Sequence, residues 1–326
     1  MEKKRRVTMY DVARAANVTP QTVSRAFRNT EDISEETRKR ILKIASELHY
    51  VMNNTASSLR VGNSRLIVVV YDNLINVYFS IMIDYLQNNL REKGYSLLML
   101  SVPHALFDRS TYEFAVSHNA AGVVSFLEPE QEIGELIRDF RIPVLIVGRR
   151  ATLANVDYIY TDDKDGGRLA AQRLVHCGAK RFAYFSVDLG VSCAYDRYLG
   201  FRQELERQGQ PAPVVVDGYI RPLQESLAEL FSDPAAAPEG VFCFNDMLAF
   251  DLLYYFELLH LPPVYVVGYD CVQQEVRSPT RLTSVGTDKN DFAARAAQMI
   301  VSAVETGRMG GTSEMVSVFL MDGVTA

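Results

Sequence analysis

The sequence predicts a small all-α head followed by an α/β body built on parallel sheets, and three observations carry that assignment. Within the first fifty residues, capping residues and apolar positions recur at helical spacing without any strand-like run. From Leu66 onward, short apolar runs alternate with longer amphipathic stretches, which is the rhythm of βαβ units. Charge divides at the same place: residues 1 to 62 hold 12 Lys/Arg against 7 Asp/Glu, leaving 22 against 33 behind them, for a formal net charge of -6. A basic head suits a polyanionic partner, whereas an acidic body repels one.

A chain of 326 residues with 48% hydrophobic composition is long enough for about two packed domains. It contains no apolar run of membrane-spanning length, and Met1 to Val7 is charged where a signal peptide would need an apolar stretch, so a cytoplasmic protein is expected. Cys177, Cys193, Cys243 and Cys271 are widely spaced, form no CxxC pair and read as reduced thiols. His49, His104, His118, His176 and His260 are scattered, and GxSxG, GxxxxGK[ST], GxGxxG and HExxH motifs are absent. Neither catalysis nor a metal nor a cofactor is expected.

Three helices fit before residue 50. Thr8 and Asp11 have the form of a capping box, and Val12, Ala13 and Ala16 then share a face of a helix from about Met9 to Ala16. Asn17 stands where the chain must turn, as a residue that tolerates a left-handed backbone. Thr19 as N-cap and Pro20 at the first helical position start a second helix carrying Gln21, Thr22, Val23, Ser24, Arg25 and Phe27. Ser34, Glu35 and Glu36 open a third, whose Ile41, Ile44, Ala45 and Leu48 cover the other two. On the second helix, Val23 with Ala26 or Phe27 can face the core while Gln21, Thr22 and Arg25 project away. Gln can pair with adenine and Arg with guanine through two hydrogen bonds each, and Thr can meet phosphate or a thymine methyl.

The run from Thr8 to Arg25, with Ile33 to Arg38 and Glu47-Leu48-His49-Tyr50, resembles the helix-turn-helix head of the LacI/GalR family of bacterial transcriptional regulators. The resemblance implies that Pro20, Gln21 and Arg25 read bases and that Tyr10, Thr19, Thr22 and Ser24 hold phosphates in double-stranded operator DNA. Pro20 brings no side-chain donor, so Gln21 and Arg25 should carry the direct readout. Residues 53 to 60 resemble the family's hinge helix, which places Asn53, Ala56 and Leu59 in the minor groove, with Leu59 as the wedge between base pairs. Eight residues poor in apolar side chains do not make a stable helix alone. Met52 stands where the family commonly has proline.

In the body, strands are expected at Leu66 to Tyr71, Tyr95 to Leu100, Gly122 to Phe126, Ile142 to Val147, Arg181 to Val187, Val214 to Val216, Gly240 to Phe244, Val264 to Gly268 and, last, Met315 to Leu320. Phe79, Ile83, Leu86 and Leu90 form a helical face that stops at Gly94. Parallel sheets offer ligands the carboxyl ends of their strands. The family resemblance, carried by Asp165-Gly166-Gly167, Phe244-Asn245-Asp246 and Gly268-Tyr269-Asp270 among others, implies a periplasmic-binding-protein-like effector domain of two parallel-sheet subdomains. The expected division is 1–52 for the head, 53–64 for hinge and linker, and 65–326 for effector binding and dimerisation. Subdomain one then takes about 65–160 plus 288–313, and subdomain two about 161–287 plus 314–326.

Asp165, Arg197, Asn245 and Asp270 match the family's effector contacts, with Tyr71, Tyr78, Phe79, Phe126, Tyr195 and Tyr219 as walls. Carboxylate, amide and guanidinium groups around a cleft suit a polyhydroxylated ligand such as a sugar, and aromatic faces cover its apolar side. Phe126, where sugar-binding members often have asparagine, leaves a purine-like or glycoside ligand open. Asp165 and Asn245 can instead simply cap helices, and Gly166-Gly167 at a helix start could hold an anion on its N–H groups. The implied protein is a homodimeric, ligand-responsive repressor, with no heptad leucines at its tail for a tetramer. Its rivals are a cytoplasmic sugar-binding protein and a sugar-processing enzyme on the same fold.

Overall fold

A computed structural model describes residues 7–28, 32–51, 64–102, 106–218, 222–278 and 280–326. The chain separates into two units, Met1–Ser64 and Arg65–Ala326. The head has α1 (Met9–Ala15), α2 (Pro20–Arg28) and α3 (Glu35–Glu47). Where α1 begins, the Asp11 carboxylate accepts from the Thr8 N–H at 2.9 Å and the Thr8 hydroxyl at 2.7 Å. Asn17 turns the chain at φ +49°. The Thr19 hydroxyl accepts from Thr22 N–H at 3.2 Å to open α2, and that of Ser34 accepts from Thr37 N–H at 3.3 Å to open α3. The helices close over Val12, Ala13, Ala16, Val23, Ala26, Ile41 and Ala45. Arg38 also donates to the Ala26 carbonyl at 3.2 Å, placing a cation near the carboxyl end of α2.

The body holds two six-stranded sheets. The first contains β1 (Leu66–Tyr71), β2 (Ser96–Ser101), β3 (Gly122–Ser125), β4 (Val144–Val147), β5 (Asp157–Thr161) and β11 (Ser313–Val316), in the order β11-β5-β4-β3-β1-β2. The second contains β6 (Phe182–Ser186), β7 (Val214–Asp217), β8 (Gly240–Cys243), β9 (Tyr265–Tyr269), β10 (Thr283–Gly286) and β12 (Phe319–Met321), in the order β12-β10-β9-β8-β6-β7. All pairings are parallel except β10 with β12.

Both faces of each sheet are covered, which is why the strands read as apolar runs. Ile67, Val69 and Tyr71 pack under α4 (Val77–Glu92) and α11 (Lys289–Thr306), while Val68 and Val70 pack under α5 (Arg109–Ser117) and α6 (Ile133–Phe140). In the second sheet, α7 (Asp163–His176) and α8 (Ser192–Arg207) cover one face, and α9 (Leu223–Leu230) and α10 (Asp246–Leu258) the other.

Two strands lie outside the expected set. β5 reads Asp-Tyr-Ile-Tyr-Thr and alternates between buried and half-buried positions, and β10 reads Thr-Ser-Val-Gly, so neither forms an apolar run. The strand expected over Met315 to Leu320 is divided, with β11 in the first sheet and β12 in the second. The chain thus crosses between subdomains after β5, β10 and β11, and the first sheet keeps residues up to Val316. The Thr287 hydroxyl donates to the Ser317 carbonyl at 3.0 Å and ties two crossings together.

Helices α7 and α8 meet almost backbone to backbone. A Cβ on Gly200 would collide with the Lys164 carbonyl, and one on Gly167 would lie 2.6 Å from the Phe201 nitrogen and strike the Arg197 carbonyl. Gly166-Gly167 is therefore a packing site, not an anion cradle. Gly200→Ala should lower the unfolding free energy by about 1–3 kcal/mol, because backbone cannot yield as a side chain can. The readout is a lower urea midpoint at unchanged slope, and an unshifted midpoint contradicts the contact.

Candidate functional site

In the head, the outward face of α2 is set by its buried one. Val23 and Ala26 are fully buried, which leaves Gln21 and Arg25, one turn apart, exposed on the opposite side. Pro20, Thr22 and Ser24 are half-buried, Thr19 is exposed, and Tyr10 is 63% exposed on α1. The Thr19 and Thr22 hydroxyls also share a hydrogen bond at 2.9 Å. Asn53, Ala56 and Leu59 lie outside the described residues, as does Tyr219.

In the body, a cleft between the sheets encloses about 660 Å³ of empty space, counting the part open to solvent. Its residues come from strand ends and crossings. Asn76 caps α4 by accepting from Tyr78 N–H at 3.1 Å, which sets Tyr78 and Phe79 at the helix start. The Phe79 ring stands 5.3 Å from Phe126, just past β3. Asp270 follows β9 at φ +102°, with Cys271 at φ +50°. Such backbone is strained, and the buried Lys289 holds it by donating to the carbonyls of Asp270 at 3.1 Å and Cys271 at 2.9 Å. Lys289 is itself paired with Glu275 at 3.1 Å.

Arg197 forms the floor. Its Nε donates to Asp163 at 2.8 Å, it donates to the Phe244 carbonyl, and its guanidinium lies 3.4 Å from the Tyr269 ring centroid. Burial is the largest influence and works against the charge of Arg197, but Asp163, Tyr269, Cys193 and Asp270 together outweigh it and hold the guanidinium protonated. Two of its five N–H groups are thereby used, which leaves donors for a ligand. The Asp270 carboxylate accepts no hydrogen bond from the described residues. Enclosure by protein lifts its pKa to about 7 against the pull of Arg197 and Lys289. Behind it, burial and the nearby Asp270 lift Asp246 to about 8, although its carboxylate accepts from Ser284 at 2.6 Å and Val272 N–H at 2.8 Å.

Six of the ten expected effector residues line this cleft: Tyr78, Phe79, Phe126, Arg197, Asn245 and Asp270. Asn245 also caps α10, accepting from Leu248 N–H at 2.8 Å. Three others point elsewhere. Asp165 lies in the first turn of α7, pairs with Arg168 and borders a separate groove, because Asp162 is the N-cap and the helix starts three residues earlier than expected. Tyr71 is packed in the core of the first sheet, and Tyr195 is 46% exposed on α8 away from the cleft. The cleft also takes residues not expected from sequence as effector contacts: Thr161 at the end of β5, Arg149, Phe244 and Thr287 just beyond β4, β8 and β10, and Cys193 and Tyr269. Strand ends were the available signal, but β5 and β10 were unassigned, so Thr161 and Thr287 could not be found from them. Among the described residues, no His/Cys/Asp/Glu group could hold a metal, and no helix is long and apolar enough to cross a membrane.

The raised Asp270 pKa has a definite sign. The folded state keeps a proton up to pH of about 7 that the unfolded carboxyl releases near 4, so this group's contribution to stability is lost as pH rises across that window. Asp270→Asn should flatten the stability curve there and gain on the parent chain, by up to a few kcal/mol, as pH rises. Urea denaturation at pH 5 and pH 8 measures it, and parallel curves for the two proteins contradict the assignment.

Comparison with known proteins agrees with this architecture. Residues 8–53 match the model for bacterial regulatory proteins of the lacI family, and residues 171–321 match the periplasmic binding protein-like domain. The HTH-type transcriptional regulator DegA of Bacillus subtilis is 28% identical over 251 residues, covering 75% of this chain and 74% of that protein. The HTH-type transcriptional repressor PurR of Escherichia coli is 25% identical over 312 residues, covering 92% and 91%. Among solved structures, the Lac repressor dimer bound to operator and the anti-inducer ONPF superposes with a TM-score of 0.83 at 20% identity, covering 98% of this chain and 99% of that one. The transcriptional regulator CelR bound to cellobiose gives 0.67 at 21% identity, covering 98% and 100%. With a DNA-binding head and a binding-protein-like body matched in one chain, whose relatives are regulators of transcription and not enzymes, the protein belongs to the LacI family of bacterial regulatory proteins.

Proposed function

We propose that the protein is a cytoplasmic repressor that binds a twofold operator as a homodimer and changes its grip when a small molecule fills the cleft. The observation that carries this is the pairing, in one chain, of an exposed Gln21–Arg25 face with a cleft presenting a carboxylate, a guanidinium and aromatic rings. Gln21 and Arg25 read base edges, while Tyr10, Thr19, Thr22 and Ser24 hold the phosphates on either side. Residues 53–60 pair across the twofold axis in the minor groove, an ordering that the effector controls. By linkage, operator DNA changes effector affinity by the same factor as the effector changes operator affinity.

The ligand is a polyhydroxylated sugar or sugar derivative. Asp270 and the spare N–H groups of Arg197 take hydroxyls, and Tyr78, Phe79 and Phe126 cover the apolar face. The CelR–cellobiose complex is compatible with this ring-lined cleft, and the aromatic Phe79–Phe126 pair favours keeping a purine as the second reading.

Mobility shifts with fragments from around the protein's own gene, with and without metabolite extract, test the whole reading. Retention of a specific fragment that extract alters supports it, and uniform background binding overturns it. With six to ten phosphates neutralised, log affinity should fall against log salt with a slope of roughly -5 to -9. Arg25→Ala should cost about 1–3 kcal/mol on the cognate site and relax its sequence preference, whereas equal weakening on every sequence would contradict base reading.

A further inference from the structure

Three cations line the cleft: Arg149, Arg197 and Lys289. Two are already matched, Arg197 by Asp163 at 2.8 Å and Lys289 by Glu275 at 3.1 Å. Arg149 is not. It stands just past β4, after Gly148 has turned the chain at φ +83°, and its Nε is shut off from solvent with no hydrogen-bond partner among the described residues. The adjacent Arg150 shows what a structural arginine does at this rim: its guanidinium takes Asp196 at 2.7 Å and its N–H takes the Ser192 hydroxyl at 3.2 Å. Buried polar atoms nearly always have partners, so an unmatched guanidinium in a cavity wall points to a group that arrives with the ligand. Asp270, whose carboxylate is likewise unmatched, follows β9 of the other sheet and so stands on the opposite subdomain.

We propose that Arg149 receives a carboxylate of the effector, so that the cleft takes a polyhydroxylated acid whose hydroxyls face Asp270. The proposal rests on the effector reading of the cleft and narrows its ligand class. The planar fork of arginine matches the two oxygens of a carboxylate. One unmatched positive charge also balances one negative charge, whereas a phosphate dianion would need a second cation, and Arg197 and Lys289 are both engaged. A ligand held at both ends spans the two subdomains, which is the geometry a closing cleft requires.

Calorimetric titration of the full chain with matched sets decides this: neutral pentoses and hexoses, their uronic and aldonic acids, their phosphate esters, and purine bases. An acid should bind about 10- to 100-fold tighter than its neutral counterpart. Arg149→Gln should bring that ratio close to one, while Arg150→Gln, which removes the already paired neighbour, should preserve it. Without ligand, Arg149→Gln should not lower the melting temperature, since the half-buried side chain makes no hydrogen bond to the described residues whose loss could destabilise the fold. Tighter binding of a neutral sugar, a phosphate ester or a purine, an acid preference that survives Arg149→Gln, or no binding by any member of the panel overturns the assignment. The two readings fail separately: a neutral or purine ligand that alters operator retention removes only the carboxylate, whereas a bound ligand without effect on operator retention removes the switch.

Discussion

The near contact of two helix backbones, at Gly167 on α7 and Gly200 on α8, is the constraint from which the cleft follows. Only hydrogen at both positions lets the helices approach this closely. The approach brings Arg197, three residues before Gly200, against Asp163 at the start of α7, immediately past the first crossing. A fully buried ion pair is expensive to desolvate, and this one is compensated by the Phe244 carbonyl and the faces of Phe244 and Tyr269. The guanidinium thereby ties together the α8 helix, the β5–α7 crossing and the ends of β8 and β9.

Strained backbone at the cleft lies in the connection from β9 to β10, within the second sheet. Asp270 and Cys271 both adopt left-handed backbone there, and Lys289, the first residue of the helix that follows the crossing after β10, holds their carbonyls. The presentation of Asp270 to the cleft and the return of the chain to the first subdomain therefore share one buried ammonium group. Thr287 and Ser317 link that crossing to the last one. On the proposed reading, a ligand that draws Asp270 and Arg149 together acts on these few segments, which are the only covalent routes between the sheets among the described residues.

The head solves a different problem with few residues. Its core is seven small and medium apolar side chains, so each short helix depends on caps and on its neighbours. The bond from Arg38 to the Ala26 carbonyl and the edge-on rings of Phe27 and Tyr50, 5.7 Å apart, hold α2 from behind. Orientation is thus set by the buried side of the helix, and Gln21 and Arg25 remain uncommitted on the other.

What could be read directly from the chain was local. Capping residues, the Asn17 turn and the buried Val23–Ala26 face place all three head helices, and apolar runs place eight strands of the body, because both signals depend on neighbours a few positions away. Tertiary structure alone decided the rest. β5 and β10 are short, partly polar and stabilised by sheet partners distant in sequence, so periodicity carries no trace of them, and the one run over Met315 to Leu320 gives no sign that it divides into β11 and β12 in different sheets. For the same reason Asp165 turned away from the cleft while Arg149, Thr161 and Thr287 entered it: a side chain's type is written in sequence, but the wall it faces is set by which strand ends and crossings the packing brings together.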